Sequence, residues 1–184
     1  MIKCLLSVVK NSLFETNFQI SQISLNILQK TLRINSSTHK LGKTSDLSSD
    51  LDKIIHEVVK RLSDNNHKLK SAAEQIFEEM MNSSLYGVEA CCSVLMNRGK
   101  SKAKLSAKQE VQRLHELEKI VSQYGLGSNG APYSVIDYGI QKLDNPSGDV
   151  RNEAISLLAS CANIEQERVW GKLEGMKAGY QQQI

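Results

Sequence analysis

Proline is nearly missing from this chain, with two residues in 184. Proline removes a backbone donor and breaks helices, so its scarcity lets a helical period run almost uninterrupted and points to an all-α protein. Aromatic residues are few, at 5%. Helical repeat arrays fill their seams with Leu, Ile, Val and Ala, which suits such a composition. No stretch approaches the length of a membrane span, and the apolar run near the start is too short for a signal peptide. The cysteines Cys4, Cys91, Cys92 and Cys161 contain no C-x-x-C pair and lie on or beside apolar faces, which reads as a reducing compartment without a disulfide framework. His39, His56, His67 and His115 are far apart, and none has a second ligand at helical spacing, which speaks against zinc. Cys91-Cys92 has no neighbouring base. Glu78-Glu79 and Glu116 with Glu118 read as exposed partners of lysines rather than acid/base pairs. Neither an enzyme, a cofactor nor a metal is expected. The net charge of +3 says little about partners.

What is present is a repeated pattern. Leu143 ends an apolar helix, and Asp144, Asn145, Pro146, Ser147 and Gly148 form a tight turn, each a turn former for its own steric or hydrogen-bonding reason. Asp149 is placed to cap the next helix, whose apolar positions are Val150, Ala154, Leu157, Leu158 and Cys161. That spacing is one face of an α-helix, and helices joined by so short a turn lie antiparallel. Leu69, Ala73, Ile76, Phe77 and Met80 repeat it, as do Ile20, Ser24, Ile27, Leu28 and Thr31. The small residue four places after the first apolar one lets helix axes approach. One such hairpin cannot bury its apolar sides alone, so the repeats are expected to stack around one continuous seam.

In order, the chain reads as a short apolar helix from Ile2 to Val9, a turn over Asn11 to Asn17, and a second helix to Thr31. Arg33 to Ser49 is polar and reads as a long connection, with Ser49 capping a helix from about Asp50. That helix carries Leu51, Ile54, Ile55, Val58, Val59 and Leu62. A third, less regular hairpin joins Leu85–Met96 to a helix with Val111, Leu114, Leu117, Val121 and Tyr124, opened by a Ser106/Gln109 capping box and closed by Gly125. The hairpins therefore fall at about 1–32, 50–82, 85–125 and 133–162, with a last helix over 164–180. In that helix Gly171, Gly175 and Gly179 suggest close approach of the preceding helix or fraying, while Lys172, Glu174 and Lys177 exclude a membrane dimer motif. The clipped first helix and the lack of a capping signal at the end read as a single domain cut from something longer.

Two motifs bear on chemistry. Gly125-Leu126-Gly127-Ser128-Asn129-Gly130 matches G-x-G-x-x-G, but a helix precedes it and Pro132 follows, so a turn between repeats is the reading. Arg98, Lys100, Lys102, Lys104 and Lys108 form a run of cations with no acid before Glu110. Such a run is either a solvated loop or an electropositive finger for an acidic surface. Nucleic acid is not expected, because no aromatics interleave the cations and no groove-reading motif is present.

Leu143 to Ala162 resembles a HEAT repeat, in which an Asp and an Arg such as Asp149 and Arg151 orient the hairpin. Leu13 to Ser21, continuing to Leu28, is similar to the second helix of repeats in TOG domains, the tubulin-binding HEAT arrays of microtubule regulators, and Ser48 to Met81 is also TOG-like. The whole resembles the single TOG domain of ciliary-tip and centriolar proteins, although its only Trp, Trp170, lies in the last helix rather than the first turn. The resemblance implies an α-solenoid of HEAT-like hairpins that meets αβ-tubulin along one edge, through its intra-repeat turns. The residues this assigns to the edge are Phe14, Thr16, Asn65, Lys68, Arg98, Lys100, Lys102, Lys104, Asn145 and Arg151. It also implies a cytoplasmic, cytoskeletal setting at a cilium tip, centriole or basal body, with other proteins of a ciliary or centrosomal complex as partners and no membrane. The alternative is a generic HEAT scaffold, of the transport-receptor or phosphatase-subunit kind, that binds proteins through exposed second-helix residues.

Overall fold

A computed structural model of the chain describes residues 2–13, 17–37, 45–83, 86–97 and 105–174, without the side chains of 2–6, 34–37 and 45–52. Among these residues there are helices and no strand. The helices are α1 (Ile2–Leu13), α2 (Phe18–Ser37), α3 (Ser45–Arg61), α4 (His67–Met81), α5 (Gly87–Met96), α6 (Ala107–Tyr124), α7 (Ser134–Lys142), α8 (Gly148–Ala162) and α9 (Gln166–Leu173). They form two compact units, Met1–Val94 and Leu95–Ile184.

In the first unit α1 packs on α2 and α3, and α4 packs on both α2 and α3. All five apolar positions expected on α4 are buried: Leu69, Ala73, Ile76, Phe77 and Met80. They meet a stripe from α3 made of Ile54, Ile55, Val58, Val59 and Leu62, also buried. The helix α2 departs from the expected register. Its buried residues are Ser21, Ser24, Leu25, Leu28 and Leu32, whereas Ile20 is 40% and Ile23 58% exposed. This helix packs on α1 and α4, and its buried stripe Ser21, Leu25, Leu28 and Leu32 keeps the helical spacing but starts one residue later than the Ile20 of the repeat pattern.

Two boundaries also move. The first helix continues to Leu13, which is fully buried, so the first turn is shorter than Asn11 to Asn17. The connection expected over Arg33 to Ser49 shrinks to 38–44, outside the described residues, because α2 runs to Ser37 and α3 already starts at Ser45. Ser49 thus lies inside α3 rather than at its start. Ser and Asp are poor helix formers and hide a helical period, but once a helix is nucleated each added residue gains a backbone bond.

In the second unit α8 is central and packs on α6, α7 and α9. Val150, Ala154, Leu157, Leu158 and Cys161 are all buried, as their spacing requires. Gly139 on α7 faces this stripe: a Cβ there would sit 3.1 Å from Leu158 Cγ, so the glycine lets the two helices close. The helix α8 starts at Gly148 after Ser147, which places Asp149 inside the first turn rather than at the cap. A carboxylate in the first turn is favoured by the positive end of the helix. The Ser106/Gln109 capping box forms, and Gly125 ends α6 with φ of 72°. On α6 Leu114, Leu117 and Val121 are buried with Ile120, while Val111 and Tyr124 are half-buried. In α9, Gly171 has open space about it, so close helix approach does not explain it, and Gly175 and Gly179 lie outside the described residues.

Truncating Phe77 removes a side chain of α4 that is 1% exposed. Phe77→Ala should cost about 3–5 kcal/mol, measured by urea unfolding, with the loss concentrated in the Met1–Val94 unit. Stability within about 1 kcal/mol of wild type would mean that the phenyl ring is not in the seam.

Candidate functional site

The intra-repeat turns are where helix ends leave backbone groups without helical partners. In the first unit Asn17 caps α2, its Oδ1 accepting from the amides of Gln19 at 2.9 Å and Ile20 at 3.5 Å. Asn66 caps α4 in the same way, accepting from Lys68 N at 3.0 Å and Leu69 N at 3.4 Å. Asp64 Oδ1 accepts from Asn66 N at 2.9 Å and so shapes the turn before it. With these side chains committed to the backbone, Asn65 and Lys68 project at the surface, both exposed. Phe14 and Thr16 lie outside the described residues.

One arginine ties the two turns of this unit together. Arg61 Nη2 donates to the carbonyl of Leu13 at 3.1 Å and lies 3.5 Å from Ser21 Oγ, while Nη1 donates to Asp64 Oδ2 at 3.1 Å. Its Nε stands 3.5 Å from Oε1 of Glu57, a carboxylate only 5% exposed. Neither Glu57 nor Arg61 was expected in the site. Their signal in the sequence is a charged pair four residues apart inside the stripe Ile54 to Leu62.

In the second unit Arg98, Lys100, Lys102 and Lys104 lie outside the described residues. Both flanks of that segment are fixed. Before it, Arg113 Nη1 donates to the carbonyls of Leu95 at 2.8 Å and Asn97 at 3.0 Å. After it, Ser106 N donates to Gln109 Oε1 at 3.0 Å in the capping box, and Lys108 is exposed on the first turn of α6. The turn from α7 to α8 brings Asn145 and Arg151 together: Arg151 Nη1 donates to the carbonyls of Asn145 at 2.8 Å and Pro146 at 3.1 Å. Asn145 Oδ1 accepts from Ser147 N at 3.0 Å, and its Nδ2 donates to Oε2 of the buried Glu110 at 2.7 Å. Lys142 Nζ donates to the other oxygen of Glu110 at 3.2 Å.

Several expected surface groups are interior ones. Glu116, expected on an exposed face, is 7% exposed and accepts from Gln112 Nε2 at 2.7 Å and Lys119 Nζ at 3.3 Å. Glu110, Arg113 and Glu116 recur every three residues beside the buried Leu114 and Leu117, and a face of mixed apolar and charged residues is what a periodicity count misses.

The glycine-rich stretch closes on itself. Gly127 N donates to Ala131 O at 3.0 Å, Gly130 N to Gly127 O at 3.1 Å and Ala131 N to Gly125 O at 2.9 Å. Gly125 and Gly127 have positive φ, and a Cβ on Gly130 would lie 2.4 Å from the carbonyl oxygen of Gly125. Amides bonded within the loop cannot cradle a phosphate, so the turn reading holds. Among the described residues no three His, Cys, Asp or Glu side chains are grouped for a metal, and no helix is long and apolar enough to cross a membrane. His115 Nδ1 lies 2.8 Å from Glu153 Oε1. Cys91, Cys92 and Cys161 are buried. Burial pushes the Cys161 thiol up to about 12, and burial with the neighbouring Glu89 does the same to Cys92. Burial, with Cys92 beside it, raises Cys91 further still.

The family model for the TOG domain of centrosomal protein CEP104 matches residues 1–157. No curated protein sequence matches the chain. Among solved structures, the TOG domain of human Cep104 superposes with a TM-score of 0.79 at 17% identity, over 98% of this chain and 69% of that one. A chain from work on TOG–tubulin binding specificity, microtubule dynamics and mitotic spindle formation gives 0.78 at 14% identity, over 98% and 65%. Crescerin, which uses a TOG domain array to regulate microtubules in the primary cilium, gives 0.72 at 17% identity, over 99% and 72%. The chain thus spans just under two thirds of the second of these. At such identities the likeness is one of fold, an all-α solenoid of HEAT-like hairpins.

Alkylation needs the thiolate, and at pH 8 a thiol raised to about 12 is almost entirely protonated. Iodoacetamide at pH 8 should therefore leave Cys92 and Cys161 unmodified in the folded chain and modify them in denaturant, read by mass spectrometry. Rapid labelling without denaturant would show that these helices open.

Proposed function

The chain belongs to the family of the CEP104 TOG domain, and on that premise we propose that it is a non-enzymatic module that binds αβ-tubulin through its intra-repeat turns. Phe14 and Thr16 serve in the first turn, Asn65 and Lys68 in the second, Arg98, Lys100, Lys102 and Lys104 in the third, and Asn145 with Arg151 in the fourth. The observation that carries this reading is the division of labour at the turns. Buried or capping groups such as Arg61, Asn66 and Arg113 hold the helix ends, which leaves Asn65 and Lys68 exposed on a fixed turn. In the fourth turn Nη1 of Arg151 bonds the carbonyls, and its other guanidinium nitrogens make no bond among the described residues, so they remain for a partner. The setting that goes with this reading is cytoplasmic and cytoskeletal, at a centriole, basal body or cilium tip, in the company of other ciliary or centrosomal proteins.

Exposed ion pairs are worth about 0–1 kcal/mol each, so single lysine changes should be small. Together, Lys100→Glu, Lys102→Glu and Lys104→Glu should weaken binding tenfold or more, roughly 1.4 kcal/mol or above, chiefly through the on-rate and without unfolding the domain. Size-exclusion chromatography with purified tubulin, followed by surface plasmon resonance of the triple variant, tests both points. Raising salt should mimic the substitutions. A triple variant that binds like wild type at low salt would make the basic run a solvated segment. No co-elution of the wild type at low salt would favour the generic scaffold, with exposed second-helix residues as its contacts.

A further inference from the structure

Glu110 is 4% exposed, and a carboxylate is buried at a cost that only close partners offset. Among its partners are Lys142 at the end of α7 and Asn145 in the turn that follows. Asn145 is held at both ends of its amide. The Nδ2 group reaches into α6 at 2.7 Å, and Oδ1 accepts the Ser147 amide at 3.0 Å, which sets the bend before α8. Arg151 adds ties from within the same hairpin. The tie from Glu110 is different in kind, because it comes from another hairpin. One turn further along α6, Arg113 fixes the carbonyls of Leu95 and Asn97. The opening turns of α6 therefore set the spacing between the end of α5 and the turn of α7–α8.

We propose that Glu110 is a positioning residue for partner binding: through Asn145 it fixes the turn 144–149 in the shape the partner meets. It touches no partner itself. This inference rests on the tubulin reading. A turn fixed beforehand saves the ordering that binding would otherwise require, so affinity depends on Glu110 even though it is buried.

The single change Glu110→Gln would leave the Lys142 ammonium buried without its counter-charge, so paired changes are the cleaner test. Glu110→Leu with Lys142→Met replaces the ion pair by apolar groups, a change that buried pairs tolerate, but it removes the acceptor for Asn145. Glu110→Gln with Lys142→Met keeps an acceptor oxygen. In the full chain the leucine pair should fold, exchange the Ser147 amide about tenfold faster, and bind αβ-tubulin about tenfold more weakly, roughly 1.4 kcal/mol. The glutamine pair should match wild type in both. A leucine pair that matches wild type in exchange and in binding would overturn the proposal, as would one that unfolds while the glutamine pair stands, since Glu110 would then serve folding alone. If the wild-type chain bound no tubulin, the functional reading would fall, and the exchange contrast would still decide whether Glu110 fixes the turn.

Discussion

Every helical hairpin leaves the last carbonyls of its first helix at the turn without helical donors, and a turn packed against neighbours cannot leave them all to water. The turns of this chain depend on how that shortage is met. Arginine meets it at two turns, Arg61 at the Leu13 carbonyl and Arg113 at Leu95 and Asn97, and at a third Arg151 serves the turn carbonyls of Asn145 and Pro146. A guanidinium carries several donors in a rigid plane, so one side chain can bond two carbonyls or bridge two turns where a lysine offers a single point. Arg61 and Arg113 also bring their charge to the negative ends of α1 and α5. The apolar stripes bring the helices together, but the turns are fixed by polar groups, the arginines together with Asp64, Asn66 and Asn145.

The parts of this architecture legible in the sequence are those governed by one periodicity. On α4 and α8 each helix presents a single apolar stripe, and the spacing Leu69 to Met80 and Val150 to Cys161 gives every buried position. On α2 apolar residues lie in two adjacent registers, and the one that packs runs through Leu25, Leu28 and Leu32, so Ile20 is exposed while Leu32 is buried. Caps were readable where the chemistry is local, as in the Ser106/Gln109 box, and misleading at Asp149, one residue past the true boundary. The buried charges were not readable. Glu110 and Arg113 look like surface residues until their partners, distant in sequence, are in place, and Glu116 is buried beside them with partners on its own helix.

Charge in this chain therefore has two separate roles. The buried groups Glu57, Glu110 and Arg113 are matched to specific partners and insensitive to salt at long range. Lys68, exposed on a turn that is already shaped, can meet another molecule without a further loss of backbone freedom. A count of charges mixes the two roles, which is why the net charge is a poor guide to what the chain binds.

The glycine-rich stretch after α6 has a consequence for how the chain folds. Its hydrogen bonds span no more than the seven residues from Gly125 to Ala131. Contacts of such low sequence separation carry little closure entropy, and loops of about ten residues close in roughly 10–100 ns. The reversal between α6 and α7 can thus form before any distant contact exists. Once it has formed, α7 and α8 search for α6 from a short tether rather than as free segments, and the long-range bond from Asn145 to Glu110 becomes, in contact-order terms, a nearly local one.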